Sequence, residues 1–282
     1  MGLRIANNVT SLTAQRHMAN TRQLLNRSLE RLASGHRINR AGDDAAGLAI
    51  SEKLNAKTKG LTQAQRNASD GISLIQVAEG GLQEIQNILV RLRELGVQAA
   101  SDTVGNEERR YLNEEYQALK QEMDRIANST EFNGTFLLDG TGGSLDFQIN
   151  TGGSNILGVD RISFNAFSLD VNTDRLHLDN AMIAHKHAAQ RSLSLVDKAI
   201  DDVASIRGEL GALESRLNTT IKNISVSIEN FIAASSRIKD VDIAKETAEL
   251  TKNSILMQAG ISILLQANAL PKMALQLLTQ SN

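Results

Sequence analysis

The sequence feature that most constrains the fold is a long apolar seam between residues 61 and 92. Its members recur at steps of three or four residues: Leu61, Ala64, Ala68, Ile72, Ile75, Ala78, Leu82, Ile85, Leu89 and Leu92. This spacing is typical of a coiled coil rather than of a globular surface helix. A helix from about Asp44 to Ala100 would be roughly 85 Å long. It needs a partner of similar length.

A second seam of the same kind supplies that partner. It lies within a predicted helix from about Asp179 to Lys239: Leu193, Val196, Ile200, Val203, Ile206, Leu210, Leu213, Leu217, Ile221, Ile224, Ile228 and Phe231. A shorter helix with the same spacing is predicted from about Asn106 to Asn128. We therefore predict a mainly α fold of long antiparallel coiled-coil helices.

Composition supports long helices held by aliphatic packing. The chain of 282 residues is 41% apolar but only 3% aromatic, and it has one proline, so the core material is Leu, Ile, Val and Ala. Such residues suit helix-on-helix packing, and few prolines favour uninterrupted helices. Cysteine is absent, which excludes disulfides and thiolate metal sites.

A stretch at about residues 129–178 has a different character. It holds glycine-rich turns, including Asn133-Gly134, and an alternating apolar run at Leu145, Phe147 and Ile149. Asn-Gly is a strong hairpin turn, and alternation is typical of a strand. We predict a small β-hairpin excursion between the helices.

The two ends of the chain are predicted to be helices that pair with each other. Their apolar stripes are thin, so neighbouring chains must cover them; the candidate interface residues are Leu3, Ile5, Val9, Leu12, Leu25, Leu29, Leu32, Leu264, Leu265, Leu270 and Leu277. Pro271 is expected to kink the last helix. We predict an inner domain of residues 1–42 and 243–282, and a coiled-coil domain of residues 43–242.

A joint separates the first two helices. Gly35 suits a helix C-terminal cap because it adopts the left-handed conformation without steric cost. Asp43-Asp44 suits the N-terminal cap of the second helix. The loop between them is cationic, with His36, Arg37 and Arg40, and it contains little to bury.

The first 40 residues are strongly basic, with seven arginines against one acidic residue. Three interpretations are open at this point: an organelle transit peptide, a nucleic-acid-binding segment, or the basic half of an ionic helix pair. No apolar run approaches the roughly 20 residues of a membrane span, and we expect neither membrane insertion nor a cleaved signal.

The sequence lacks the common motifs of catalytic and cofactor sites. HExxH, GxGxxG and Gly-Lys are all absent. His185 and His187 lie two residues apart, on different faces of a helix, and are interpreted as solvated polar positions. Asp43-Asp44 and Asp201-Asp202 are explained by helix capping and a solvated face. We predict no enzyme, no cofactor and no metal.

Long runs at both ends resemble bacterial flagellins. The N-terminal half contains INRAGDDAAGLAIS and NASDGISLIQVAEGGLQEI, and STEFNGTFLLDG is similar to the family's turn into its β region. The C-terminal run SRIKDVDIAKETAELTKNSILMQAGISILLQANALPKMALQLL is similar to the family's terminal helix. Only about 45 residues separate the halves, so the chain resembles a core-only flagellin.

The resemblance implies a repeating subunit that polymerises with itself into the flagellar filament. It further implies export through the flagellar type III system, a secreted location in the filament, and contacts with the filament cap and hook-associated proteins. An export chaperone would bind the C-terminal segment, and the N-terminal arginines would lie between neighbouring subunits. The alternative is a hook–filament junction protein. A basic-tailed coiled coil that binds nucleic acid is a rival of another class, as is a flagellin with a metalloprotease insert, against which the absent HExxH argues.

A further implication concerns recognition by the animal innate immune receptor TLR5. The stretch from Val90 to Gln98 resembles the flagellin segment that this receptor detects. Carried over by position, Arg91, Leu95 and Glu115 would be the contacts, with Leu95 as an apolar anchor. An ionic and apolar helix–helix seam explains the same residue types.

Overall fold

The computed structural model describes residues 8–152 and 160–280, and the side chains of 270–272 and 274–280 lie outside the description. Within these ranges the helices are α1 Val9–Ser34, α2 Ala45–Ala100, α3 Asn106–Ser129, α4 Lys186–Lys239 and α5 Ile243–Gln280. Two small antiparallel sheets lie between α3 and α4 in the sequence: β1 Glu131–Phe132 with β2 Thr135–Phe136, and β3 Ser144–Gln148 with β4 Arg161–Asn165. The predicted mainly α fold is confirmed, and α5 continues through Pro271 as one helix.

The chain divides into two compact units. Unit 1 is Met1–Ala56 with Asn230–Asn282, and unit 2 is Lys57–Glu229. The helices α2 and α4 each contribute residues to both units. The domain boundaries predicted at residues 42 and 242 concern the assembled protein and stay a prediction.

The core of unit 2 lies along an antiparallel pairing of α2 with α4. Partners across the pair run in opposite directions, as shown by Arg93 Nε with Asp197 Oδ1 at 2.7 Å and Gln76 Nε2 with Glu214 Oε1 at 3.1 Å. Nine of the ten predicted seam residues between 61 and 92 are buried, and Ile72 is half-buried. The coiled-coil spacing therefore identified the helix face that the core uses.

A polar stripe on α3 holds the irregular segment 173–183 by its backbone. Asn113 accepts from the Ile183 backbone N–H at 2.9 Å, and Lys120 Nζ donates to the Asp179 carbonyl oxygen at 2.8 Å. Asp124 accepts from the Thr173 N–H at 2.8 Å. Other backbone groups of the segment bond to each other in separate turns, such as the Leu178 N–H with the Thr173 carbonyl oxygen at 2.8 Å. The segment is therefore a series of turns held by α3 side chains rather than a helix. α4 consequently begins at residue 186, and the predicted start at residue 179 is wrong.

The first hairpin follows the predicted Asn-Gly turn. Asn133 and Gly134 have φ angles of 51° and 78°, the positive pair that a tight two-residue hairpin requires. The alternating run at Leu145 and Phe147 forms β3, whose partner β4 was not predicted. Ile149 follows β3 and donates its backbone N–H to the Asp160 carbonyl oxygen at 2.9 Å.

The double glycine within α2 has two different environments. A Cβ added at Gly81 would lie 2.7 Å from Leu138 Cδ1 and 2.8 Å from Thr130 Oγ1, so these side chains occupy the space. A Cβ added at Gly80 would meet nothing within 4 Å. Of the two glycines, only Gly81 is therefore closely approached, and it is approached by side chains.

This difference predicts opposite outcomes for two adjacent substitutions. Gly80→Ala should raise the free energy of unfolding by about 1 kcal/mol, because alanine is the better helix former and nothing obstructs its methyl group. In Gly81→Ala the same gain is opposed by displacement of Leu138 and Thr130. Urea unfolding of the two monomeric variants measures the difference. Equal stabilisation by both would contradict the assigned packing.

Candidate assembly surface

The joint after α1 begins with a left-handed glycine. Gly35 has a φ angle of 73° and ends the helix, and its carbonyl oxygen accepts from the Val241 backbone N–H at 3.0 Å. An L side chain is strained in this conformation, which explains glycine at the stop. The end of α1 is thereby attached to the turn between α4 and α5.

The two aspartates of the joint have separate roles. Asp44 Oδ1 accepts from the Gly47 backbone N–H at 2.8 Å, the N-terminal cap predicted for α2. Asp43 Oδ2 accepts from the backbone N–H groups of Asn39 at 3.2 Å and Arg40 at 3.1 Å. Asp43 therefore shapes the loop, while Asp44 starts the helix.

The pKa of Asp43 is lower than the ordinary aspartate value. Burial raises this pKa, but the hydrogen bonds from the Arg40 and Asn39 backbone and the charges of Arg31 and Arg27 outweigh it. The charged carboxylate is thus the form that the folded loop stabilises.

The joint loop also bonds to the end of α4. Arg37 donates its backbone N–H to the Lys239 carbonyl oxygen at 2.7 Å and its guanidinium to the Ile238 carbonyl oxygen at 2.6 Å. Ile38 is 1% exposed. The expectation that this loop contains little to bury is therefore wrong, because Ile38 anchors it in the interior of unit 1.

α1 and α5 pack antiparallel, as predicted from the paired ends. Asn8 Nδ2 donates to the Ala267 carbonyl oxygen at 2.9 Å, and Arg31 lies 3.6 Å from Glu246 at the other end of the pair. Among the described side chains of these two helices, the buried ones are small or polar: Ser11, Ser28, Asn253 and Ala267. Sequence reasoning from apolar stripes missed them. The sequence feature that could have identified them is the occurrence of small residues at facing positions, which allow helix backbones to approach closely.

The large apolar side chains of this pair point away from it. Val9, Leu12, Leu29 and Leu265 are 62%, 57%, 48% and 67% exposed. Three further predicted positions are half-buried: Leu25, Leu32 and Leu264. Leu3 and Ile5 lie outside the described residues, as do the side chains of Leu270 and Leu277. The structure therefore leaves the described interface candidates largely uncovered.

α5 is apolar on more than one face. No charged residue occurs between Asn253 and Pro271. The exposed large side chains in this stretch lie at positions around the helix: Ile255, Leu256, Ile261, Ile263 and Leu265. A helix that is apolar all round is normally buried, so unit 1 exposes a surface that suits contact with other molecules.

The residues proposed for receptor recognition are only partly accessible. Arg91 Nη2 lies 2.8 Å from Glu115 Oε1, and both side chains are about half exposed. The hydrogen bonds that Arg91 donates to Glu115 and Glu94 raise the pKa of Arg91. Leu95 is 1% exposed within the core of unit 2. Its assignment as an apolar anchor for a receptor is corrected, because no partner can reach it in the folded subunit.

Within residues 8–152 and 160–280, none of the helices has the length and continuous apolar character of a membrane span. No group of His, Asp and Glu in the same ranges has the arrangement of a metal site, and His185 and His187 are both exposed.

Comparison with protein families assigns both halves of the chain. Residues 5–142 match the family model of the bacterial flagellin N-terminal helical region, and residues 193–278 match that of the C-terminal helical region. The chain belongs to the bacterial flagellin family. It is therefore a structural protein, a repeating subunit of the bacterial flagellar filament.

Full-length relatives agree with this assignment. The flagellins of Halalkalibacterium halodurans and Bacillus subtilis are each 42% identical to this chain. The alignments cover 97% and 98% of this chain, and 99% and 100% of those relatives. The flagellar filament 33 kDa core protein of Treponema phagedenis is 41% identical, over 97% of this chain and 99% of its own. The core-only size is thus shared with complete flagellins.

Solved structures show the same fold. The crystal structure of Bacillus cereus flagellin has 29% identity and a TM-score of 0.50, and covers 56% of this chain and 88% of its own. A putative flagellar hook-associated protein from Vibrio parahaemolyticus gives a TM-score of 0.56 over 70% of this chain and 100% of its own, at 14% identity. At that identity the second likeness shows the fold alone, so it does not favour the hook–filament junction alternative.

The lowered pKa of Asp43 predicts that the joint loosens in acid. The carboxylate contributes stability that is fully present above the unfolded aspartate pKa of about 3.9. That contribution is lost as the pH falls through the lower folded pKa. Carbon-13 NMR of the Asp43 carboxyl group in the monomer should show a midpoint below the unfolded value. In Asp43→Asn this acid step should vanish from the stability profile, and a folded midpoint at or above 3.9 would contradict the prediction.

Proposed function

We propose that the flagellin polymerises through the apolar surface of α1 and α5, with the predicted residues as its interface. The observation that supports the proposal is that unit 1 buries small polar side chains and exposes large apolar ones. Its helix pair is closed by Ser11, Ser28 and Asn253, whereas Val9 and Leu265 remain exposed. Each large aliphatic side chain contributes about 1.5–3 kcal/mol when fully buried. A subunit contact that does not close on itself yields a helical filament.

The finer assignments form part of the same proposal. We propose residues 1–42 with 243–282 as the inner domain of the filament and residues 43–242 as the domain around it. The chain would be exported by the flagellar type III system and contact the filament cap and hook-associated proteins. An export chaperone would bind the C-terminal segment, whose uncharged stretch needs cover before assembly. We propose that the chain has no catalytic activity, does not bind nucleic acid and does not insert into a membrane, since the family is structural.

Leu265→Asp tests the interface. The side chain is 67% exposed, so the monomer should keep its helicity and its melting transition. In the filament an unpaired carboxylate would lie in a dry contact, which costs several kcal/mol. Seeded polymerisation, followed by sedimentation and electron microscopy, should therefore fail.

Val226→Asp is the matched control. Val226 is 57% exposed in unit 2, so this variant introduces the same charge at a comparably open apolar position. It should polymerise as the parent does. Normal filaments from Leu265→Asp would show that the contacts lie elsewhere.

We also propose that TLR5 recognises the monomer through Arg91 and Glu115. Support comes from their sequence position and from the exposure of Arg91. Its side chain is half exposed, although it forms ion pairs with Glu115 and Glu94. The buried Leu95 would act only by keeping α2 in place. The polar pair thus replaces the three-residue contact expected from the resemblance.

Arg91→Ala should reduce TLR5 signalling by the monomer at least about tenfold, if a charge-assisted hydrogen bond is lost. The control is Arg125→Ala, which removes an exposed arginine of α3 that is paired with Glu122. Reporter cells that express the receptor measure both variants. Unchanged signalling by Arg91→Ala would contradict the proposal.

A further inference from the structure

The two compact units carry opposite net charge. Unit 1 contains 13 Lys and Arg against 8 Asp and Glu, and unit 2 contains 17 against 24. Their formal charges are therefore +5 and −7, although the whole chain is close to neutral at −2. Such a division favours contact between unlike units of different copies.

The carboxylates of unit 1 are already engaged within that unit. Four lie in ion pairs with basic side chains: Glu30 with Arg40, Glu52 with Lys239, Glu246 with Arg31 and Glu249 with Lys252. Asp240 contacts His36 at 3.1 Å. The remaining three accept backbone N–H groups: Asp43, Asp44 and Asp242. Each carboxylate of unit 1 thus already has a partner within the unit.

Three arginines of α1 are exposed and make no ion pair within the described residues: Arg16, Arg22 and Arg27. The charge of Arg27 acts on Asp43 of the joint, which leaves Arg16 and Arg22. Arg16 and Arg22 are exposed, and neither makes an ion pair with any Asp or Glu of the chain, all of which lie within the described ranges. Arg16 lies seven residues after Val9, and Arg22 lies seven residues before Leu29. Seven residues make nearly two helical turns, so each arginine shares a face with an exposed apolar side chain.

Burial of that apolar surface also desolvates the two arginines. A contact that covers Val9 and Leu29 removes water from the neighbouring guanidinium groups. An unpaired buried cation is costly, whereas a charge-assisted hydrogen bond to a carboxylate offsets the cost. Carboxylates that make no hydrogen bond or ion pair within the described residues, such as Asp202 and Glu209, lie in unit 2.

We propose that Arg16 and Arg22 pair, in the filament, with carboxylates from residues 57–229 of a second copy. This inference rests on the proposed polymerisation surface. Unit 2 supplies spare acceptors: Asp202 and Glu209 are exposed, lie seven residues apart on one face of α4, and make no ion pair within the described residues. The arginines then give the contact its orientation, while the apolar residues supply most of its free energy.

Zero-length crosslinking tests the pairing directly. Arg16→Lys and Arg22→Lys keep the charge and add an amine that a carbodiimide joins only to a carboxylate in contact with it. Filaments are grown from an equal mixture of nitrogen-14 and nitrogen-15 subunits, so mixed-isotope peptides identify links between copies. We expect links from positions 16 and 22 to Asp or Glu within residues 57–229. No links, or links only to residues of unit 1, would overturn the proposal.

Neutralisation provides a second measurement. The double variant Arg16→Gln with Arg22→Gln should raise the critical concentration for polymerisation at least about tenfold, because carboxylates of the neighbouring copy lose their partners. The control is Lys59→Gln with Lys222→Gln, two exposed lysines of unit 2 that make no ion pair in the described residues and do not neighbour Asp202 or Glu209 along the helix. It should leave the critical concentration unchanged. An equal response of both double variants would also overturn the pairing.

The outcomes separate this inference from the proposal on which it rests. If Leu265→Asp polymerises normally, the proposed surface itself fails. If Leu265→Asp stops polymerisation but the arginine variants polymerise as the parent does, only the pairing fails. Binding to a short duplex DNA that the double glutamine variant loses, with polymerisation unchanged, would assign these cations to nucleic acid and overturn the pairing.

Discussion

Burial of aliphatic side chains between helices is the interaction on which this subunit depends, and the two units satisfy it differently. In unit 2 the seams of α2 and α4 face each other, so residues such as Leu82 and Leu89 are completely buried within one chain. In unit 1 the facing positions of α1 and α5 are small or polar, and the large residues lie outside. The same driving force therefore folds one unit and leaves the other to be completed by neighbouring subunits.

Small residues between α1 and α5 let the two helices pair while most of their large aliphatic side chains stay exposed. Ser11 donates to Asn268 Oδ1 at 2.8 Å, and a Cβ added at Gly260 would lie 3.2 Å from Met18 Cγ. Close approach with polar contacts holds the two helices together with only partial burial of their aliphatic residues. These residues remain available for assembly, where identical contacts are repeated at every subunit. A stronger apolar seam within the pair would stabilise the monomer and reduce what polymerisation can bury.

The flagellin run from Arg37 to Asp44 has a local explanation for nearly every position. Ile38 is buried, Arg40 binds Glu30 at 2.9 Å, Asp43 accepts two backbone N–H groups, and Asp44 caps α2. Arg37 completes the set by binding the last carbonyl groups of α4. Cations near a helix C-terminus and acids near an N-terminus both complement the helix dipole. The run thus starts α2 and binds the end of α4.

The linear pattern by itself determined the helices of this protein. Steps of three and four at Leu61 to Leu92 indicate the buried face because an α-helix repeats every 3.6 residues. Asn133-Gly134 likewise predicts the hairpin, since few other residue pairs accept its positive φ angles.

Tertiary structure decided what depends on contacts distant in sequence. The start of α4 depends on Lys120 and Asn113, which bond to the backbone of a segment about 60 to 70 residues away. The sequence around Leu95 fits a receptor contact and a core position equally well, and only the tertiary packing shows that Leu95 is buried. The same holds for Ser11 and Asn253, whose polarity alone predicts exposure. Local periodicity identifies a helix and its apolar face, but the chain's three-dimensional path determines which neighbour covers that face.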